Sequence, residues 1–318
     1  MARLSVNSDN AGVYVTLEEM VKLRYQAQGF SFLPRQPIHS LLAGRHASRL
    51  RGRGLNFEEI RRYLPGDDIR NMDWKVTART QKPHTRVYTE ERDRPAILLV
   101  DQSLSMFFGS RVNMKSVTAA QAAALAAWRI VGVGDRVGAV VFNDSEISEV
   151  KPHRSQKTVM RILQSILKQN HKLNLEHRVQ SSPEMLNTVL ERLVNRVGHD
   201  YLICIISDLA GANSETKRLV SLLAQHNDVM VAMIYDALET KLPQAGRLVI
   251  SDGAVQLEVD TQGRKFQRDF SELFNDRLKH AHEWLGKRGI PILPLHTAEN
   301  VAVQVRSLLG YSMQTKRA

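Results

Sequence analysis

Residues 96–100, Ala-Ile-Leu-Leu-Val, are apolar without exception, and the run breaks off at Asp101 into Gln102-Ser103-Leu104-Ser105. A strand with no polar side to show must be covered on both faces, which is the condition of a strand inside a parallel sheet. Strand patterns recur at 136–142, 147–150, 201–207, 229–234 and 290–295. Helical patterns fall between and after them, at 114–131, 156–169, 183–197, 215–225, 265–285 and 298–309. This alternation predicts a doubly wound, mostly parallel α/β sheet of Rossmann-like type, with helices on both faces. The run Ala119-Ala120-Gln121-Ala122-Ala123-Ala124 lets the first of those helices lie close against the sheet. Ser251-Asp252-Gly253-Ala254 signals a tight hairpin between strands at 247–250 and 255–259.

Before residue 95 the texture differs, with more charge and more turn signals. Thr16-Leu17-Glu18-Glu19 is a capping box that opens a helix through about Gln28. Phe57 to Tyr63 reads as a short helix stopped by Pro65-Gly66, and 85–89 as a strand with alternating faces. The expected organisation is an N-terminal extension over 1–94, the α/β domain over 95–310 and a basic tail over 311–318. At 43 % apolar content, the 318 residues are ample for a sizeable core. No apolar run of membrane-spanning length and no secretory leader pattern is visible, and the single cysteine, Cys204, excludes an internal disulfide. A reducing, cytoplasmic setting is therefore expected, with Cys204 a small core residue inside its strand rather than a nucleophile.

The net charge of +11 gathers partly in Arg45, Arg49, Arg51 and Arg53. Such a run can be a footprint for nucleic acid or anionic lipid. Aromatic residues make up 6 % of the chain and are not interleaved with it, so no base-stacking platform shows. The expectation is a solvated basic surface, partly paired by Glu58, Glu59, Asp67 and Asp68, or a surface for an acidic protein partner.

In a doubly wound sheet, ligands gather beyond the carboxyl ends of the strands, where strand order reverses. Asp101 ends one apolar strand there and Asp208 follows another. Ser103 and Ser105 lie in the loop that leads to the alanine-rich helix. Asp101, Ser103, Ser105 and Asp208 offer oxygen only, a set that suits Mg²⁺ or Mn²⁺ and not Zn²⁺. An ion held by so few carboxylates stays electrophilic and accepts a further oxygen, such as a carboxylate from another protein. The competing expectation is that Asp101 and the serines cap the following helix and satisfy loop amides.

At these residues the chain resembles a von Willebrand factor A-type domain, in which Asp-x-Ser-x-Ser and a later strand-end aspartate form a metal-ion-dependent adhesion site. The resemblance implies metal ligands at Asp101, Ser103, Ser105 and Asp208. It also implies a threonine before the helix that precedes the Asp208 strand; Gln180-Ser181-Ser182-Pro183 stands there instead, and Ser182, also the expected N-cap of that helix, is the candidate substitute. The stretch from Gly54 through Phe57-Glu58-Glu59-Ile60-Arg61-Arg62-Tyr63-Leu64-Pro65-Gly66-Asp67-Asp68 to Trp74 and Arg79, with Glu91-Arg92-Asp93-Arg94-Pro95, resembles the bacterial family labelled domain of unknown function 58. That resemblance implies an accessory role beside a MoxR-type AAA+ ATPase in assembly, maturation or metal insertion. Read physically, Leu64 to Asp67 is a turn, and Asp67 or Asp68 caps a short helix. Arg61, Arg62, Arg70 and Arg79 are the expected partners of Asp67, Asp68 and Asp73, tying the extension to the main domain, with Trp74 as a core anchor.

Enzyme signatures are absent from the sequence. It has no phosphate-loop Gly-x-x-x-x-Gly-Lys-Ser/Thr, no Gly-x-Ser-x-Gly elbow and no His-Glu-x-x-His. Gly132-Val133-Gly134-Asp135 is too short for a dinucleotide fingerprint and follows a helix. His171, His177, His280 and His282 lack metal-ligand partners at useful spacing. The expected function is a non-enzymatic, metal-dependent protein-interaction module. The rival readings are a Mg²⁺- or Mn²⁺-dependent phosphatase or nuclease, and nucleic-acid binding through the basic extension.

Overall fold

The computed structural model describes residues 12–27, 56–89, 95–173, 182–240, 246–251, 256–260, 279, 281 and 283–310. The chain divides into two compact units, residues 1–34 with 94–318, and residues 35–93. The boundary at 93/94 lies one residue from the expected break, and residues 1–34 of the expected extension group with 94–318. Helix α1 (Leu17–Lys22), opened by the predicted Thr16/Glu19 capping box, buries Met20, while Leu23 follows in a 3₁₀ turn that ends at Tyr25. With Val15 and Ala27 these residues join the core of the α/β unit, and the Trp128 indole donates to the Met20 carbonyl at 3.0 Å. The arginine-rich stretch at 45–53, the hairpin tip at 252–255, His177, His280, His282 and the tail at 311–318 lie outside the described residues.

In the 35–93 unit, β1 (Asn56–Arg62) pairs antiparallel with β2 (His84–Thr89), with α2 (Trp74–Thr80) between them. The helix expected at 57–63 is therefore a strand. A six- or seven-residue segment has little helical stability of its own, and the β-rich partner at 84–89 offers it a ladder. The Leu64–Asp67 turn forms as expected, with Gly66 at φ +102° after Pro65. Asp68 caps the 3₁₀ turn Ile69–Asn71, and Asp73 caps α2 by accepting from Lys75 and Val76. Arg61 pairs with Asp67 at 2.7 Å, but Asp73 takes Arg86 at 2.8 Å, and both pairs are internal to this unit. Trp74 is 65 % exposed, so it is no core anchor; as the first residue of a two-turn helix its side chain faces water.

The α/β unit is built on a six-stranded sheet. β3 (Pro95–Asp101) lies at its centre, with β4 (Arg136–Phe142) and the antiparallel edge β5 (Ile147–His153) on one side. On the other side β6 (Leu202–Ser207), β7 (Asp228–Tyr235) and β10 (Ile292–His296) follow in parallel. The strands progress outward from β3 in opposite directions, which makes this the predicted doubly wound α/β sheet. A separate hairpin joins β8 (Arg247–Ser251) to β9 (Gln256–Asp260).

Side-chain alternation along β3 assigns the two cores. Ala96, Leu98 and Val100 pack with α1, α3 (Lys115–Gly132), α4 (Gln156–Asn170) and the C-terminal helix Val301–Gly310. Ile97 and Leu99 pack with α5 (Met185–Arg196) and α6 (Ser214–His226). Ala119, Ala120, Ala123, Ala124 and Ala127 of α3 are fully buried, so small side chains bring this helix close against the sheet as predicted. Cys204 sits in the same interior, its thiol pushed up to about 12 by burial alone.

Candidate functional site

Four parallel strands end at the same edge, and each carries an aspartate within two residues of its end: Asp101, Asp144, Asp208 and Asp236. They do different work. Asp236 accepts the Ser110 amide at 3.0 Å, the Leu238 amide at 2.8 Å and the Thr297 hydroxyl, so it fastens the loops around β7 and β10. Asp144 accepts the Leu104 amide at 2.7 Å and the Ser182 amide at 2.8 Å, holding the serine loop to the segment before α5.

Asp101 lies near enough to Asp208 for the charge of one to act on the other. Register places Val100 beside Ile206, and the next residue, Ser207, donates its hydroxyl to Asp101 Oδ2 at 2.6 Å. Asp101 Oδ1 accepts the Ser103 amide at 2.9 Å, and the Ser103 and Ser105 hydroxyls lie 3.1 Å apart. Neither following helix is capped by these hydroxyls: the 3₁₀ turn Leu104–Met106 begins at Ser103 with no side-chain cap, and α3 begins at Met114 likewise. The capping alternative therefore accounts for the Asp101 carboxylate but not for the hydroxyls.

The two aspartates differ in their electrostatics. Asp101 is 4 % exposed, and burial first, then the neighbouring Asp208 charge, push its carboxyl up to about 6 against the pull of the Ser207 and Ser103 donors. Among the described residues no lysine or arginine pairs with it. Asp208 is 1 % exposed, and its Oδ2 accepts from the Lys115 ammonium at 2.8 Å. Lys115 also reaches Glu239 Oε1 at 2.9 Å. Burial acts to lower the Lys115 value, but Asp208 and Glu239 outweigh it and leave it above the ordinary lysine value.

Sequence reasoning missed Lys115, Asp144 and an amide network behind the site. Gln102 Nε2 donates to the Asp101 and Ser116 carbonyls, its Oε1 accepts from Asn170, and Asn170 Oδ1 accepts the Val15 amide. One signal was readable: a lysine opens α3, where a helix N-terminus favours acidic or hydroxyl residues. Ser182 does not cap α5, whose N-cap is Glu184; its amide serves Asp144. Beyond Asp208 the backbone turns tightly. Leu209 adopts φ +56°, a left-handed conformation costly for a side-chain-bearing residue, and Gly211 backs onto Pro183, whose carbonyl oxygen would lie 2.3 Å from any Cβ at 211.

The donor set fits a hard divalent cation. It is all oxygen, it brings two buried carboxylates together, and its charge is under-compensated, as Asp101 shows. Among the described residues no three His, Cys, Asp or Glu side chains form a metal cluster, so the serine hydroxyls would have to share the coordination.

A family model described as "Protein of unknown function DUF58" matches residues 59–280. The chain belongs to this family. It is 31 % identical over 218 residues to uncharacterized proteins Mb1516 of Mycobacterium bovis and Rv1480 of Mycobacterium tuberculosis, covering 69 % of this chain and 67 % of each relative. Among solved structures it is similar to the conserved hypothetical protein BatB from Bacteroides thetaiotaomicron, at 13 % identity and a TM-score of 0.41, over 71 % of this chain and all of that one. It is also similar to a von Willebrand factor type A structure from Catenulispora acidiphila, at 10 % identity and a TM-score of 0.36, over 72 % of this chain and 44 % of that one. The strand order and layering of its larger unit are those of a doubly wound, mostly parallel α/β sheet. Among the described residues no helix is long and apolar enough to cross a membrane.

Proposed function

We propose that this protein is a non-enzymatic, metal-dependent interaction module that serves a MoxR-type AAA+ ATPase in the cytoplasm, engaging a client protein through a carboxylate. Asp101, Ser103, Ser105 and Asp208 would hold Mg²⁺ or Mn²⁺, which when bound supplies an electrophilic site for the client's oxygen. What supports the reading is a buried Asp101 carboxylate that feels the Asp208 charge, together with the Ser103 and Ser105 hydroxyls, 3.1 Å apart, that cap no helix. The protein's own part is to keep Asp101 aligned through Ser207 and Ser103 and to fix the serine loop through Asp144.

The rival hydrolase reading needs a general base beside the ion. Asp101, lifted to about 6, has a suitable value, but the proposed ion draws on the same carboxylate, and a ligating carboxylate is not also the base. Calorimetric titration of Mn²⁺ tests the proposal: wild type binds and Asp101→Ala does not. Affinity purification from native cells, with and without EDTA, tests the partner. Recovery of an AAA+ ATPase indifferent to both EDTA and Asp101→Ala would keep the partner and remove the mechanism. Mg²⁺-dependent phosphatase or nuclease turnover lost in Asp101→Ala would replace the reading with the hydrolase.

A further inference from the structure

Lys115 sits where a cation is least welcome. It is the first residue of α3, at the positive end of the helix dipole, and it is 4 % exposed. A buried ammonium in that place requires carboxylates to hold it, and it has two of unlike standing. Asp208, whose side chain is 1 % exposed, belongs to the proposed ion site. Glu239, whose side chain is 16 % exposed, stands in the short helix Ala237–Thr240 after β7 and outside the proposed ligand set. The ammonium lies within hydrogen-bond distance of both, with the Phe108 ring 5.9 Å away.

We propose that Lys115 is a tethered counter-cation of the strand-edge site: it neutralises Asp208 when no divalent ion is bound, yields Asp208 by shifting its weight onto Glu239, and thereby sets the site's affinity. The inference rests on the reading of Asp208 as an ion ligand. Two cations drawing on one buried carboxylate repel each other, so a lysine at 2.8 Å from Asp208 lowers the affinity for a second positive charge. The flexible four-carbon stem lets the ammonium move by side-chain rotation while the backbone of α3 stays fixed. Glu239 keeps the displaced charge paired and so lowers the cost of that movement. Glu239 thus acts on the site through Lys115, as a positioning residue.

The test is Mn²⁺ titration of the full chain by calorimetry, with melting temperatures measured in EDTA. Lys115→Met should bind Mn²⁺ about tenfold more tightly than wild type, and Glu239→Gln about threefold more weakly. The double variant should match Lys115→Met, because Glu239 has no role once the lysine is gone. A double variant weaker than Lys115→Met would make Glu239 a ligand and overturn the proposal. Lys115→Met binding no tighter than wild type, while Asp101→Ala loses binding, would leave the ion site standing and remove the tether. Absence of Mn²⁺ binding in every variant, Lys115→Met included, would sink the ion site and this inference with it. If Lys115→Met does not fold, Lys115→Arg serves instead, since its forked guanidinium grips both carboxylates more firmly. Lys115→Arg and Glu239→Gln must then both weaken Mn²⁺ binding without lowering the melting temperature in EDTA, and failure of either overturns the proposal.

Discussion

Every residue of β3 is buried, whereas among residues 60–86 of the 35–93 unit only Asp73 and Thr85 are. The first region is ordered by apolar packing on both sheet faces, and the buried charged groups of its unit gather at one edge of the sheet. The second is ordered by caps, turns and ion pairs such as Arg61–Asp67 and Arg86–Asp73, with Leu64, Ile69 and Trp74 exposed. Burial gives the strand-edge carboxylates their unusual energetics, because the same groups in water would be screened and inert. The contrast teaches where to look for binding chemistry in this chain: charges buried against an apolar sheet, rather than the more numerous charges outside it.

The largest expected effect comes from the apolar side. Leu98→Ala removes a fully buried side chain from the first-face core and should cost about 2–5 kcal/mol in urea unfolding. A smaller loss would mean that the core is looser than its burial indicates. Next comes Asp101→Asn, which removes an uncompensated buried charge while keeping the shape. In EDTA it should raise stability by about 1–3 kcal/mol, and it should abolish Mn²⁺ binding. The pH dependence has a definite sign. Between about 4 and about 6, folded Asp101 keeps a proton that the unfolded chain has released, so its contribution to stability falls as pH rises through that window and levels off above it. A wild-type chain in EDTA that gains stability from this group over the same window would contradict the assignment.

In the 35–93 unit, Asp73→Ala removes two backbone caps and the Arg86 pair. Amide exchange at Lys75 and Val76 should accelerate about five- to tenfold while β3 amides keep their protection. Coupled acceleration in β3 would erase the distinction between the two regions. Smallest is Glu146→Gln on the surface of the α/β unit. Lys168 and Lys172 hold this carboxyl down to about 2, so its contribution is present above the ordinary carboxylate value and fades as pH falls toward about 2. All three side chains are a third or more exposed, and the loss at neutral pH should stay below about 1 kcal/mol.

The sheet was legible because its strands leave no periodicity to misread. Residues 96–100 and 202–206 are apolar throughout, and only a sheet covered on both faces accepts them. That Asp101 and Asp208 stand at the same end of neighbouring parallel strands followed from topology alone. The β1 strand was not legible, since Phe57 to Arg62 has no strong period and its conformation is set by pairing with 84–89. Nor was the place of α1, which depends on Met20 reaching α3 across a gap of more than ninety residues. Trp74 misled for a related reason: a large aromatic is read as buried unless the fold says otherwise. Lys115 shows the subtler failure. Its position broke a local rule for helix starts, but the carboxylates that justify it come from β6 and from the segment after β7, more than ninety positions away.

Where Gly211 meets Pro183, the loop after Asp208 and the loop held by Asp144 leave no room for a side chain at 211. A single methyl group at 211 would act as a wedge, spreading the rim at two strand ends while leaving every charged group chemically intact. Position 211 is therefore a mechanical control over the strand-end loops, and one that no inventory of ligands would bring to notice.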